Sequence, residues 1–353
     1  MRLHNIFDSK ILKSQLLRET FQRKTISFYR YFILENPQEF RDQIYREWAA
    51  LNCFGRIYVA REGINAQMSV PEQYFQQFLE TLKKYPIFNQ IPIKYAIEDN
   101  GKSFYKLTIK VRPKLVADGL DDNSFDVTNV GKHLNALEFH ELVNSGEHIV
   151  VDMRNHYESE IGHFRGAICP EADTFREEIS MVSEMLSHQK DRKVLLYCTG
   201  GIRCEKASAY LKHHGFTDVN QLHGGILEYA WQIKTLNIES NFIGKNFVFD
   251  ERLGESVNGE VISHCHQCGQ LCDTHVNCAN DACHLLFIQC RECATQYEDC
   301  CSDDCKTIKN SSKEESLVFR NQHSRKFGNG RVYRKSFLLA KKLNFAVSEI
   351  HSG

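Results

Sequence analysis

Ten of the chain's fourteen cysteines fall between Cys265 and Cys305, and no other stretch limits the fold so tightly. The run CHQCGQLCDTHVNCANDACHLLFIQCRECATQYEDCCSDDC is too poor in apolar residues to build a core by burial alone. Something else must hold it together. The N-terminus, MRLHNIFDSKILKSQ, sets charges among its apolar positions and lacks the continuous apolar stretch of a secretory signal. The expected compartment is therefore the reducing cytoplasm, where thiols stay reduced or bind metal. Metal binding is the reading that follows. Two C-x2-C pairs, Cys265/Cys268 and Cys290/Cys293, each present two thiolates from one turn. Cys278, Cys283, Cys300, Cys301 and Cys305 can supply a second site, with Cys278, Cys283, Cys301 and Cys305 as its expected ligands and Cys272, His275 or His284 as alternatives. A ligand set dominated by thiolate predicts one or two structural zinc ions, with an iron–sulfur cluster as the rival.

At 353 residues the chain is too long for one ordinary core and predicts two or three domains, α/β and α+β in class. No window approaches the roughly 18 apolar residues of a membrane span, so no membrane is expected. The net charge of −1 conceals a pattern. Lys and Arg exceed Asp and Glu by eight over residues 1–117 and again over 306–353, while the acids lead by nine over 118–240 and by eight over 241–305. Basic blocks of this kind suit a polyanion partner such as nucleic acid.

After an N-terminal extension (1–24), residues 25–117 alternate as strand, helix, two strands around Arg61-Glu62-Gly63, helix, and two more strands. The order βαββαβ with one extra strand predicts a ferredoxin-like sandwich. A polar linker spans 118–130. Residues 131–240 then alternate short apolar strands with helices, which predicts a parallel sheet covered on both faces. The Cys-rich segment takes 241–305, and a basic, partly disordered tail takes 306–353.

The sharpest chemical signal is KVLLYC followed by TGGI and Arg203. It puts Cys198 at the carboxyl end of an apolar strand, the crevice where open α/β sheets bind ligands. Gly200 and Gly201 let the loop curl so that backbone N–H groups point at the sulfur. Those donors, and the positive end of the following helix, should lower the thiol pKa. Arg203 adds a fixed charge and an anion-binding fork. Four residues separate Cys198 from Arg203, one fewer than in cysteine phosphatases, a length better suited to a persulfide sulfur than to phosphate. Cys204 follows on the first helical turn, placed either to resolve a species formed on Cys198 or as an inert helix cysteine. The thiol site is expected to be open to solvent.

These segments resemble rhodanese domains. VDMRNHYESEIGHFRGAI matches their strand-and-turn signature, with Asp152, Arg154, Glu158, Gly162, His163, Gly166 and Ala167 at the corresponding places. CTGGIR, with Thr199 and Ile202 completing it, matches their active loop, and LHGGILEYAW their closing Gly-Gly segment. In that family the loop cysteine carries a persulfide, and Asp152, Arg154 and His163 would mainly orient loops; Arg154 is also a candidate at the substrate. The order of parts, running on through FIGKNFVFDERLGE to the cysteine cluster, resembles the rhodanese-containing tRNA wobble-uridine hydroxylases. That resemblance implies oxygen-dependent formation of 5-hydroxyuridine in the tRNA anticodon region, with Cys198, Arg203 and Cys204 as the catalytic set. Molecular oxygen would be co-substrate, and no sequence feature names the electron donor.

Arg61, Glu62 and Asn65 in REGIN, at the hairpin, are candidates for facing the substrate. Aromatics interleaved with charges in FYRYF and SFYK offer stacking surfaces for unpaired bases, although most alternate aromatics in such strands face a core. Two other function classes fit the residues. One is a sulfurtransferase that passes persulfide sulfur from Cys198 to a tRNA or protein. The other is a zinc-stabilised tRNA-binding module without activity, which the intact CTGGIR loop argues against.

Overall fold

The computed structural model describes residues 8–121 and 124–312, together with Leu3 and Val318. Within these the chain forms two compact units, one running to Ser159 and from His163 to Asn258, the other comprising Glu160–Gly162 and the residues from Gly259 onward. The expected basic tail contributes one helix end; its course beyond residue 312 lies outside the described residues.

Helix α1 (Ser9–Arg18) occupies the expected N-terminal extension and is capped by Asp8. Strand β1 (Arg23–Tyr31) follows, then α2 (Pro37–Ala50), β2 (Phe54–Ala60), β3 (Gly63–Pro71), α3 (Phe75–Lys83), β4 (Lys94–Tyr95) and β5 (Leu107–Val111). Helix α2 is capped by Asn36 and carries Pro37 in its first turn, where the missing N–H costs nothing. The sheet order β4-β1-β3-β2-β5 is the ferredoxin-like arrangement, with β5 added parallel to β2. The expected fourth strand, IPIKYAI, pairs over only two residues.

Side chains in this sheet alternate between two faces, as period-two geometry requires. Ile26, Phe28, Ile57, Val59, Ile64, Ala66 and Met68 enter one core with Trp48 and Phe78 from the helices. Phe28, from the aromatic-rich FYRYF, belongs to this core and meets Trp48 edge-on at 6.3 Å. The other face carries polar residues, and it becomes important below.

The second half of this unit runs through β6 (Lys132–Leu134), α4 (Ala136–Ser145), β7 (Ile149–Asp152), α5 (His156–Glu160), β8 (Gly162–Phe164), α6 (Phe175–Met185), β9 (Val194–Tyr197), α7 (Ile202–His213), β10 (Val219–Leu222) and α8 (Gly225–Thr235). The short strands β11 (Phe242–Asn246) and β12 (Glu255–Ser256) complete it, in a small sheet ordered β12-β11-β8. The main sheet, β6-β10-β9-β7, is parallel throughout. Its strands are buried on both sides. Val150, Leu195 and Tyr197 pack with α4 and α8, whereas Val151, Val194 and Leu196 pack with α6 and α7. Cys198 continues the second phase, one residue past the end of β9.

In the other unit, β13 (His275–Asn277) and β14 (Leu286–Ile288) form a hairpin followed by α9 (Arg291–Tyr297) and α10 (Asp303–Lys309). Its buried cluster is Phe287 with Cys278, Cys300 and Cys305, far too little apolar surface to hold a fold. Among the described residues no helix is long and apolar enough to cross a membrane.

Candidate active site and metal centres

The loop after β9 wraps around the Cys198 sulfur. Gly201 takes φ +97°, a left-handed conformation that favours glycine, and its N–H donates to Cys198 Sγ at 3.2 Å. Helix α7 starts here, and the backbone N–H groups of Arg203 and Cys204 in its first turn also act on the sulfur. The loop is held from behind by α8, whose first-turn N–H groups of Ile226 and Leu227 donate to the Cys198 and Thr199 carbonyls at 3.0 and 3.2 Å. Gly225 makes this possible. A Cβ there would stand 2.5 Å from the Cys198 carbonyl oxygen and 2.6 Å from that of Thr199.

Burial alone would raise the Cys198 thiol. The hydrogen bond from Cys204, the Arg203 charge and backbone N–H groups outweigh it and bring the thiol down to about 6. Cys204, also fully buried, is pushed well up by its own burial and by the adjacent thiolate. The pair thus reads as a Cys198 thiolate accepting from a Cys204 thiol. Cys204 lies within hydrogen-bond reach of the Cys198 sulfur.

Above the loop lies a cavity of about 420 Å³, within the range of small-ligand sites. Its roof is the polar face of the ferredoxin-like sheet. Strand register places Lys94, Ser27, Gln67 and Arg56 in one row across β4, β1, β3 and β2. Tyr29, Asn65 and Tyr58 form the next row. All seven line the cavity, with Cys198, Thr199, Gly200, Ile202 and Arg203 on the opposing loop. Tyr29 donates to Glu205 at 3.0 Å; Glu205 also contacts His133 at 3.0 Å and accepts from Gln221 at 3.1 Å. Burial raises Glu205, but these hydrogen bonds and the His133 charge outweigh it and leave its carboxyl below the usual range.

Several expected roles change. The thiol is not open to solvent: Cys198 is 0% exposed and is reached through the cavity, because the N-terminal sheet covers the loop. The Arg203 fork is already taken, by Glu158 at 2.6 and 2.9 Å, so its charge acts on the sulfur without a vacant fork. Arg154 lies fully buried with its guanidinium on Asp152 at 2.6 and 2.8 Å; it braces the loop after β7 and is not at the cavity. Glu62 is a clamp, accepting from Leu115 N–H at 2.6 Å and pairing with Lys206 of α7 at 2.9 Å. Arg61 is exposed at the hairpin tip. Of the REGIN candidates, Asn65 reaches the cavity.

Lys94 was missed. It is 6% exposed, and burial lowers its ammonium to about 8 against the pull of Cys198, Glu228 and Glu205. The signal available in IPIKYAI was a lysine placed in an apolar strand. The run is so short that its facing was undecidable.

In the other unit the cysteines gather as two tetrads, Cys265/Cys268/Cys290/Cys293 and Cys278/Cys283/Cys301/Cys305, with the Sγ atoms of each within 4.8 Å of one another. Separations of 3.6 Å for Cys268–Cys290, 3.8 Å for Cys283–Cys301 and 3.6 Å for Cys301–Cys305 match the edge, about 3.8 Å, of a tetrahedron with metal–sulfur bonds of about 2.3 Å. Backbone N–H groups of Cys290 and Cys301 aim at Cys265 and Cys278 Sγ, both at 3.4 Å, as thiolate charge requires. Each tetrad can hold a metal ion. Cys300 is buried in the apolar cluster beside Cys278 and Cys305 but, like Cys272, His275 and His284, belongs to neither tetrad.

Family comparisons agree with this architecture. Residues 23–115 match the UPF0176 acylphosphatase like domain, 135–232 the rhodanese-like domain, and 243–306 the family described as rhodanase C-terminal. The chain is 52% identical over 351 residues to a tRNA uridine(34) hydroxylase of Leptospira interrogans serogroup Icterohaemorrhagiae serovar Lai, covering 99% of this chain and 94% of that one. It is 50% identical to the tRNA uridine(34) hydroxylase of Hamiltonella defensa and 49% identical to that of Yersinia pestis strain Pestoides F, in both cases over 95% of this chain and 94% of the relative. With identity at this level across nearly the whole length, the chain belongs to the tRNA uridine(34) hydroxylase family.

Proposed function

We propose that this protein converts the wobble uridine of tRNA to 5-hydroxyuridine, with molecular oxygen as the oxygen source and Cys198 as nucleophile. The observation that carries the reading is a Cys198 thiolate, lowered to about 6, beneath a cavity of about 420 Å³ in a chain of this family. The thiolate adds to C6 of the uracil ring, which makes C5 electron-rich. In the net reaction C5–H becomes C5–OH and the second oxygen atom leaves as water, with two protons and two electrons drawn from an external reductant. Loss of the C5 proton and departure of the thiolate from C6 restore the aromatic pyrimidine.

Burial of Cys198 requires the target base to leave its stack and enter the cavity. The excess of eight basic residues over 1–117 suits the anticodon-region phosphates, with binding that weakens as salt rises. The two cysteine tetrads would each hold one structural zinc ion, whose four thiolate ligands leave no open position for catalysis. Zinc there supplies the cohesion that the small apolar cluster of that unit lacks.

Nucleoside mass spectrometry of tRNA from cells lacking the protein, then restored with wild type or Cys198→Ala, tests the reading. It expects 5-hydroxyuridine and its derivatives to fall and only wild type to restore them. Unchanged 5-hydroxyuridine with loss of a thiolated nucleoside would make the protein a sulfurtransferase instead.

A further inference from the structure

Four cationic side chains line the cavity: Arg56, Lys94, Arg203 and Arg252. Three are engaged. Arg203 is forked on Glu158, Arg252 pairs with Asp250 and Glu255, and Arg56 donates to the Phe249 carbonyl. Among the described residues Lys94 has neither a hydrogen-bond acceptor nor an ion-pair partner in contact; the Tyr29 ring lies 4.6 Å from Nζ, and the charges of Cys198, Glu228 and Glu205 act on it from farther away. Yet the residue is 6% exposed. A buried ammonium with no acceptor is costly, and a sheet position facing inward would be filled more cheaply by a neutral residue. The ammonium faces the cavity with no acceptor in hydrogen-bond reach.

Register with Ser27 sets Lys94 at the end of the row that runs across the cavity roof. Its Cε lies 3.5 Å from where a Cβ on Gly224 would stand, beside the Gly224-Gly225 turn that grips the Cys198 loop. The Tyr29 ring is fixed in turn by its hydrogen bond to Glu205, so the ammonium is braced toward the thiol side of the cavity.

We propose that Lys94 is a catalytic residue that hydrogen-bonds the O4 carbonyl of the bound uracil and stabilises the enolate formed when Cys198 adds at C6. This rests on the nucleophilic reading given above. In the step, the sulfur–C6 bond forms, the C5=C6 π pair moves toward C4, and the C4=O pair settles on O4. O4 is the carbonyl oxygen conjugated to C6 through C4 and C5, so the negative charge develops there. The Lys94 N–H accepts no electrons and loses no proton; it meets the new charge in a site where water is excluded. Removing one such donor from a developing oxyanion typically lowers the rate about 100- to 1000-fold.

The test uses the full-length protein and an anticodon stem-loop carrying 5-fluorouridine at the wobble position, with the covalent complex followed by intact mass and denaturing gel. Wild type is expected to form the Cys198 adduct. Lys94→Met should form it about 100-fold more slowly or worse, with stem-loop affinity changed only a few-fold, and Lys94→Arg should recover part of the rate. Lys94→Met should also melt no lower than wild type, because it removes a buried charge while keeping the stem. An adduct at the wild-type rate in Lys94→Met would overturn this inference and leave the nucleophilic reading standing. So would a slow variant with a lowered melting temperature that Lys94→Arg does not rescue, which marks a structural prop. Absence of adduct in wild type would overturn the nucleophilic step, and the role of Lys94 with it.

Discussion

Replacing Cys204 with alanine isolates the interaction that makes Cys198 a thiolate. Burial of Cys198 opposes ionisation, and the hydrogen bond from Cys204 is the largest of the effects that overcome it. A hydrogen bond to a charged acceptor contributes about 1.5–3 kcal/mol, and one pKa unit corresponds to about 1.4 kcal/mol. Cys204→Ala should therefore raise the Cys198 midpoint from about 6 by roughly one to two units. At pH 6 the thiolate fraction, and with it the rate of reaction with a small alkylating agent, should fall roughly 5- to 50-fold. By pH 9 the two proteins should react alike. The assay is the pH dependence of iodoacetamide alkylation at the Cys198 peptide, read by mass spectrometry so that other thiols do not interfere. Cys204→Ser keeps a donor at the position and should keep the midpoint close to that of wild type. A Cys204→Ala midpoint within about 0.3 units of wild type, or a serine variant shifted as far as the alanine one, would refute the assignment of Cys204 as donor.

Gly225→Ala places a methyl within 2.6 Å of two loop carbonyls at φ +68°; it should lower stability by several kcal/mol and abolish 5-hydroxyuridine formation, seen by denaturant unfolding and nucleoside analysis. Glu62→Ala removes the 2.9 Å partner of Lys206, 3% exposed, and leaves it Asp118 at 4.0 Å; it should cost up to about 3 kcal/mol in urea unfolding, whereas Glu62→Ala with Lys206→Met should recover much of it. Metal analysis of the purified protein should return two zinc ions per chain, and a strong chelator should make residues 259–312 protease-sensitive before the remainder.

The element order was legible because its cues are local. Asn36-Pro37 opens α2, and Gly201 and Gly225 lie where loops must turn left-handed. KVLLYC followed by TGGI marks Cys198 as the carboxyl end of an apolar strand, and the residue lies one position past the end of β9. The cavity was not legible. Ser27 and Gln67 alternate with core residues, Asn65 stood out only through the REGIN hairpin, and nothing local says that this face closes over a loop more than a hundred residues away. Charge roles failed for the same reason. Glu158 with Arg203 and Glu62 with Lys206 are long-range pairs, so a charge that looks available for substrate turns out to be engaged. In the cysteine segment the C-x2-C spacing set the first tetrad, but only the fold separates Cys301, which joins the second, from Cys300, which does not.

The central claim is that Cys198 drives insertion of an oxygen atom from dioxygen into the wobble uridine. Purified protein, unmodified tRNA and a thiol reductant should be incubated under isotopically labelled dioxygen, and the nucleosides weighed. The account predicts one labelled oxygen in 5-hydroxyuridine with wild type and none with Cys198→Ala. Product carrying oxygen from water, or labelled product made equally well by Cys198→Ala, would contradict it.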